Sequence, residues 1–284
     1  MAKIYKLIDI LKYSTDYLEK ANVDSPRLTA EYIIATILDL KRIDLYMNYD
    51  KPLSTIEREK IKKNLIRRAK DREPLQYIME YEEFYGLKFY VDKNVLIPRP
   101  ETEILVENAI KYLEKIEEPK ILEIGVGSGA ISISIGKNLI NSKIIGVDIS
   151  EGALKIAEKN RENLGLNNVR FVKSDIFENI NYKSFDLIIS NPPYISEEEY
   201  SGLMPEVKNY EPKLALVAKE DGNYFYRTII ENGKNYLKNG GKIFFEVGYN
   251  QSKIVKELFI KNRYKNIEIL KDYGKIERIL IGEK

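Results

Sequence analysis

The chain has no cysteine and no histidine among its 284 residues. Without cysteine there is no disulfide framework and no thiolate nucleophile. Without either residue the common Cys/His zinc sites and a Ser-His-Asp triad are excluded, and no metal is expected. Any general base must come from a carboxylate, Tyr, Lys or the backbone. Long apolar runs are missing too. No segment approaches the ~20 apolar residues that span a bilayer. The opening MAKIYKLIDILKYSTDYLEK also lacks the apolar stretch of a signal peptide. These absences predict a cytoplasmic protein with no membrane partner. Charge of one sign is scarce: 46 basic and 44 acidic residues leave a formal net charge of +2. Stable nucleic-acid binding is therefore not expected, although a local basic patch is compatible with a balanced total.

Hydrophobic residues make up 44% of the chain and charged residues 32%, a globular balance that can fill two cores or one large one. Residues 1–80 read as a small helical bundle. Ile4, Leu7, Ile8, Leu11 and Leu18 recur at helical spacing, with a polar gap at Ser14 and Thr15. Ser25 before Pro26 reads as a cap with proline in the first turn. Ser54 and Glu57 read as a capping box leading into a basic helix. Residues 81–97 are aromatic and β-branched around Gly86 and predict a hairpin linker. From Pro119 onward, within a third region at 98–284, strands and helices alternate. The strands are KILEIG, KIIGVDI, VRFVKSD, FDLIIS and KIFFEVG, with a helix and turn across YFYRTIIENGKNYLKNGG. Two closing strand-like runs have no crossover helix between them and predict an antiparallel pair at one edge. The fold class is α/β, an open, mostly parallel sheet with an antiparallel edge and helices on both faces, preceded by the helical bundle.

The first strand of this region ends in Gly125, Val126, Gly127, Ser128 and Gly129. Glycines there suit a tight turn and close approach of a ligand to the backbone, or a structural turn alone. The spacing is G-x-G-x-G, unlike the dinucleotide fingerprint, and no phosphate-loop Lys follows. Asp148 closes the next strand, where a carboxylate can take both hydroxyls of a ribose; it favours the cofactor reading over a strand-end cap. Asp175 and Ile176 close the third strand and suit an adenine amino group and ring, or serve as a turn. Glu123 sits near the first strand's end. There it answers a cationic ligand, or is a partly solvated carboxylate.

The fourth strand stops at Asn191-Pro192-Pro193-Tyr194. The prolines fix φ, remove two backbone donors and restrict their neighbours. What remains is a stiff set of acceptors, carbonyl oxygens and the Asn191 side-chain oxygen, suited to a substrate –NH2. Tyr194 adds an aromatic wall or a hydroxyl. Amide and exocyclic base nitrogens are poor nucleophiles, so the reaction needs orientation, electrostatics and an activated carbon donor. S-adenosylmethionine fits this, with Glu123 and Asp148.

Together LIPRPETEILVE, EIGVGSGAISI, GVDIS, FDLIISNPPYI, EPKLAL, DGNYFYRTII and GGKIFFEVGYNQ resemble the peptide chain release factor glutamine methyltransferases. The likeness covers nearly the whole chain, including EPLQYIMEYEEFYGLKF. It implies a Rossmann-like methyltransferase fold, S-adenosylmethionine as cofactor and class I release factors as partners, methylated on the glutamine amide of their Gly-Gly-Gln motif. It implies cofactor contacts at Gly125–Gly129, Asp148, Asp175, Ile176 and Asn191. The glutamine amide is implied to lie against Asn191 and Pro192, with Tyr194 beside it. The family motif at Pro98–Glu103 implies that Arg99 and Glu103 shape the site floor or the domain junction. Glu123 stands where the family often has Asp, a longer arm with the same charge, and Val126 where it often has Thr. The resemblance also implies that the helical region helps hold the release factor, with its basic helix as the charged surface; that helix equally reads as a solvated face. A monomer is expected. Asn-Pro-Pro-Tyr also occurs in adenine-N6 methyltransferases, so a nucleic-acid adenine enzyme is the alternative. A non-catalytic docking module is a third reading, disfavoured by the intact glycines and Asn191.

Overall fold

The computed structural model describes residues 5–219 and 221–284, so Ile4 lies outside the described residues. The chain forms two compact units. One runs to Tyr81 and takes in Met204–Tyr210; the other holds Glu82–Leu203 and Glu211–Lys284.

The first unit contains α1 (Leu7–Lys20), α2 (Pro26–Leu38), α3 (Asp44–Met47), α4 (Thr55–Ala69) and α5 (Leu75–Met79). Leu7, Leu11 and Leu18 from α1 meet Ile33 and Ile34 from α2 and Ile61 and Leu65 from α4 in one core. The polar gap on α1 is not a break in that face. Ser14 is fully buried, and its hydroxyl donates to the Ile10 carbonyl at 2.6 Å, which satisfies it within its own helix. Ile8, expected on the face, is on its exposed margin. The capping box forms as expected: the Glu57 N–H donates to Ser54 Oγ at 3.2 Å, and Glu57 Oε2 accepts from the Ser54 N–H at 2.7 Å. Such a cap is worth about 0.5–2 kcal/mol. The expected Ser25 cap does not form. Ser25 has φ 49 and makes no side-chain cap bond. Side-chain N-caps use an extended backbone, and the left-handed conformation removes that geometry.

The second unit opens within a two-stranded sheet of β1 (Tyr81–Phe84), whose first residue ends the first unit, and β2 (Leu87–Tyr90). Tyr85 and Gly86 have φ 50 and 71, the paired positive values of a tight hairpin turn. There follow α6 (Pro100–Leu113), β3 (Lys120–Ile124), α7 (Ala130–Asn138), β4 (Lys143–Asp148), α8 (Glu151–Asn163), β5 (Val169–Lys173) and β6 (Phe185–Ser190). After α9 (Glu197–Ser201) the chain supplies α10 (Pro205–Tyr210) to the first unit. There Glu206 pairs with Arg68 and Arg72 at 3.5 and 2.7 Å, and the Tyr210 hydroxyl donates to the Asp71 carbonyl at 2.6 Å. The second unit then completes with α11 (Lys213–Leu216), α12 (Tyr224–Gly233), β7 (Leu237–Glu246), α13 (Ser252–Lys261), β8 (Lys265–Lys271) and β9 (Glu277–Glu283).

Among the described residues the main sheet has seven strands in the order β5-β4-β3-β6-β7-β9-β8. The first five are parallel; β9 joins β7 antiparallel and β8 closes that edge, as the missing crossover helix required. Alternate residues feed opposite cores. Ile121, Leu187, Ile189, Phe244 and Ile281 pack with α6 and α7 residues. Leu122, Ile124, Ile188, Ile243, Phe245 and Leu280 pack with α12 and α13 residues. A sheet covered on both faces needs such continuous apolar runs. One expectation shifts: LKNGG, read as a turn, lies inside β7. Phe185 pairs with Leu237 while Leu187 pairs with Lys242, so the extra β7 residues bulge out. Gly240, at φ 77, allows the bend.

Candidate active site

The strand order reverses between β3 and β6: β3 leads on to β4 on one side and β6 to β7 on the other. Parallel sheets open a crevice at the carboxyl ends of strands at such a point. A cavity lies there, within the second unit, lined from the ends of β3, β4, β5 and β6.

The glycine turn after β3 is held from β4. The N–H groups of Gly125 and Val126 donate to the Val147 carbonyl at 2.9 and 3.2 Å, and the Gly127 N–H donates to Asp148 Oδ2 at 3.0 Å. Gly127 has φ 55, and a Cβ built on it meets nothing within 4 Å, because it faces the cavity. Gly129 differs. At φ 83 it opens α7, and a Cβ there would sit 2.8 Å from Ile133 Cδ1 and 3.3 Å from Ala157 Cβ. It closes the turn onto α8 and is not part of the lining. Val126 lines the cavity and packs over Gly146, where any Cβ would meet Val126 Cγ2 at 2.5 Å. Ser128 lines it too, and its carbonyl accepts from buried Asn160 Nδ2 at 2.9 Å. The same Asn160 side chain accepts from the Tyr90 N–H at 2.7 Å and donates to the Tyr90 carbonyl at 3.0 Å. One amide thus clamps the hairpin to the glycine turn.

Asp148 lines the cavity with its rotamer fixed by the Gly127 N–H and by the Ser150 N–H, which donates to Oδ1 at 2.9 Å. Burial pushes its pKa up, against the pull of these backbone donors. Asp175 and Ile176 line the cavity just beyond β5. Ile176 has φ 47, a strained value for a β-branched residue. Its carbonyl accepts from Ser174 Oγ at 3.3 Å, part of the turn that holds it there.

Glu123 is 1% exposed. Its Oε2 accepts from the Ser132 N–H at 3.0 Å and from the Ser132 hydroxyl; Oε1 is buried without a partner, and the residue lines the cavity. Burial pushes its pKa up to about 8. An orphaned, buried carboxylate oxygen beside a ribose-type carboxylate fits a ligand with both a cationic group and sugar hydroxyls, as S-adenosylmethionine has.

Beyond β6, Asn191, Pro192 and Pro193 line the other side. Asn191 Nδ2 donates to Thr102 Oγ1 at 3.2 Å, leaving Oδ1 as the carboxamide's acceptor arm. Ser190 Oγ donates to the Ile124 carbonyl at 2.6 Å and ties this strand end to the start of the glycine turn. Gln251 Nε2 donates to the Tyr194 carbonyl at 3.1 Å, bracing the turn from behind.

Like Gly129, some other expected site residues are placed differently in detail. Tyr194 is not in the lining; its ring packs against the core that contains Phe245 and Val247, and burial pushes its hydroxyl up to about 12. The aromatic ring in the lining is Phe225 on α12. Arg99 lines the cavity with its guanidinium engaged: Nη2 meets Glu211 Oε1 at 2.5 Å, and Glu211 Oε2 also accepts from the Ile97 N–H at 3.3 Å. Glu103 is outside the lining and accepts from the Tyr85 N–H at 2.7 Å, holding the hairpin turn. Thr102, between them in the motif, is the residue that reaches Asn191.

The described PrmC N-terminal domain family matches residues 9–79, and the family described as Methyltransferase domain matches 117–279. A release factor glutamine methyltransferase of Fusobacterium nucleatum is 44% identical over 98% of this chain and 78% of its own length. One from Geobacter sulfurreducens is 38% identical over 99% of this chain and 97% of its own. The hMettl16 catalytic domain, solved with a MAT2A 3'UTR hairpin, shares the fold with a TM-score of 0.56 at 17% identity, covering 81% of this chain and 82% of that one. A methyltransferase from Pyrococcus furiosus gives 0.51 at 24% identity, covering 70% of this chain and 89% of that one. With both units matched and near-full-length relatives at this identity, the chain belongs to the release factor glutamine methyltransferase family.

Proposed function

We propose that the protein transfers a methyl group from S-adenosylmethionine to the side-chain amide nitrogen of the Gly-Gly-Gln glutamine in class I release factors. The observation that carries this is one cavity with two chemistries. Glu123, the glycine turn and Asp148 form one wall, and the acceptors of Asn191-Pro192 form the other. Bound there, S-adenosylmethionine supplies a methyl group on a positively charged sulfur, an electrophile strong enough for a weak nucleophile.

Glu123 Oε1 faces the ligand's cationic end, Asp148 takes the ribose hydroxyls, and Asp175 with Ile176 holds the base. Asn191 Oδ1 and the Pro192 carbonyl accept the two N–H bonds of the glutamine amide. Both acceptors are stiff, so little order is lost when the substrate arrives. Accepting both hydrogens turns the nitrogen lone pair toward the methyl carbon. That nitrogen would take the methyl from bound S-adenosylmethionine, which leaves as S-adenosylhomocysteine, and the proton released from the nitrogen would pass to solvent. Pro98, Pro193, Leu214 and Phe225 supply apolar wall that keeps water from competing.

The helical unit holds the release factor while its Gly-Gly-Gln loop enters the cavity, and the enzyme works as a cytoplasmic monomer. Among the described residues no helix is long and apolar enough to cross a membrane. The test is mass spectrometry of a release factor after incubation with the protein and S-adenosylmethionine. One added methyl on the Gly-Gly-Gln glutamine is expected. An unmodified glutamine overturns the assignment, and methylation of adenine in duplex DNA instead would establish the nucleic-acid alternative.

A further inference from the structure

Behind Asn191 lies a second buried carboxylate that the mechanism above does not use. Glu246 ends β7, is 3% exposed, and accepts from the Thr102 hydroxyl at 2.5 Å. Thr102 is 4% exposed and in turn accepts from Asn191 Nδ2 at 3.2 Å. The three side chains come from α6, the turn after β6 and the end of β7, and both bonds run in one direction. We propose that Glu246 and Thr102 are positioning residues for the methyl transfer, holding the Asn191 carboxamide in the one orientation that aims its oxygen at the substrate –NH2. This rests on the role given to Asn191 in the proposed function.

A carboxamide can flip by a half-turn with almost no change of shape, and the two orientations offer opposite chemistry. With Oδ1 forward, Asn191 accepts from an amide –NH2. With Nδ2 forward, donor meets donor and the substrate is turned away. Proline rigidity cannot choose between them, because it fixes the backbone and leaves the last torsion free. The choice is made by the polarity of the chain behind. A carboxylate only accepts, so the Thr102 hydrogen is committed to Glu246. Thr102 Oγ1 is then left to accept, so Asn191 must present Nδ2 to it and Oδ1 to the cavity. Each bond dictates the sense of the next. A protonated Glu246 no longer enforces that sense, because it can donate to Thr102 and free the threonine hydrogen for a flipped Asn191.

The environment places that loss of control near neutrality. Burial pushes Glu246 up to about 7, opposed by the Thr102 bond, Arg278 on β9 and Asn191, and reinforced by Glu101 at the start of α6. Tyr194 also faces it, and the Tyr226 hydroxyl from α12 donates to the Glu246 carbonyl at 3.0 Å. The sign follows: with a raised pKa, the ordering carboxylate is complete above about 7 and fades as pH falls through it.

Three variants and two readouts test this. Thr102→Val keeps the shape and removes the hydroxyl; kcat is expected to fall about 10- to 100-fold, with S-adenosylhomocysteine affinity within about twofold. Thr102→Ser restores the relay, and kcat should return to within about threefold of wild type. Glu246→Gln should lower kcat and remove the acid limb of the pH–rate profile near 7. The second readout needs no substrate: in the unliganded protein the Asn191 side-chain –NH2 resonances, assigned by their absence in Asn191→Ala, should titrate with pH in wild type and not in Glu246→Gln. A folded Thr102→Val enzyme with wild-type turnover, or Asn191 resonances with the same titration in Glu246→Gln, would overturn the relay. If wild type leaves release factor unmodified while the resonances titrate as stated, the proposed function fails and the relay stands.

Discussion

Asp148 Oδ2 accepts the Gly127 N–H at 3.0 Å, so the carboxylate that faces the cavity also fixes the middle of the glycine turn. Asp148→Asn separates these from a purely electrostatic role. One of the two oxygens becomes –NH2 and must face either the Gly127 or the Ser150 N–H, donor against donor. The expected loss is about 1–3 kcal/mol of stability, since a buried backbone donor is left without an acceptor. S-adenosylhomocysteine affinity should drop by about 10- to 100-fold, because a charged acceptor is removed as well. Denaturant unfolding and calorimetric titration check the two effects separately.

Glu123 makes cofactor binding a proton-linked event. Its pKa stands at about 8 against an ordinary 4.5, because the carboxylate is buried. Unliganded, the folded protein therefore keeps a proton that the unfolded chain has already lost. The stability this carries is complete below 4.5 and drains away as pH rises toward about 8. Glu123→Gln has no such proton, so between pH 5 and 8 it should lose less stability than wild type, by about 1–3 kcal/mol. A cationic ligand reverses the preference and drives the proton off. At pH 7 wild type should release close to one proton per ligand bound, and Glu123→Gln none. Titration calorimetry in buffers of different ionisation enthalpy reads the number directly.

The glycines of the turn are not interchangeable. Gly129→Ala forces a side chain to φ 83 and drives its Cβ to 2.8 Å from Ile133 Cδ1, so it should cost about 1–3 kcal/mol of stability. Gly127→Ala meets nothing within 4 Å, so only its φ of 55 strains it, and it should cost about 1 kcal/mol, less than Gly129→Ala. Its methyl occupies ligand space, however, and cofactor affinity should fall by about tenfold or more. Equal loss of stability in the two variants would contradict this division.

Asn160→Ala should disable the turn from a distance. It removes two bonds to Tyr90 and one to the Ser128 carbonyl, all inside the fold. About 2–4 kcal/mol of stability should go, with weaker cofactor binding, because buried backbone groups lose their partners. Hydrogen exchange at the Tyr90 amide should quicken more than at the centre of β3.

Much of the parallel sheet was legible because each strand is buried on both faces and reads as a short apolar run. The glycine turn, Asp148 and the Asn191 turn were legible because each demands a residue type at a strand end. Other parts depend on where separate segments meet. Phe225 supplies the cavity's aromatic ring because α12 packs with that face toward it, and Tyr194 is drawn into the core instead. Neither is marked by spacing. Thr102 and Glu246 lie 144 residues apart and look, in sequence, like an ordinary helix start and strand end. Ser25 shows the converse: the right residue type stands before Pro26, and the left-handed backbone spoils its cap.

The place of α10 has a consequence for how the protein is made. The helix belongs to the first unit but is encoded more than a hundred residues after α5. No single cut in the chain separates the two units. A fragment ending at Tyr81 leaves Arg68 and Arg72 without Glu206, and one starting at Glu82 carries a helix stripped of its partners. During synthesis, the unit written first gains its last helix only after Tyr210 has emerged, by which time the glycine turn, β4 and β6 are already outside. The amino-terminal unit is thus completed late, and the carboxy-terminal unit, which still needs β7, β8 and β9, is completed later still.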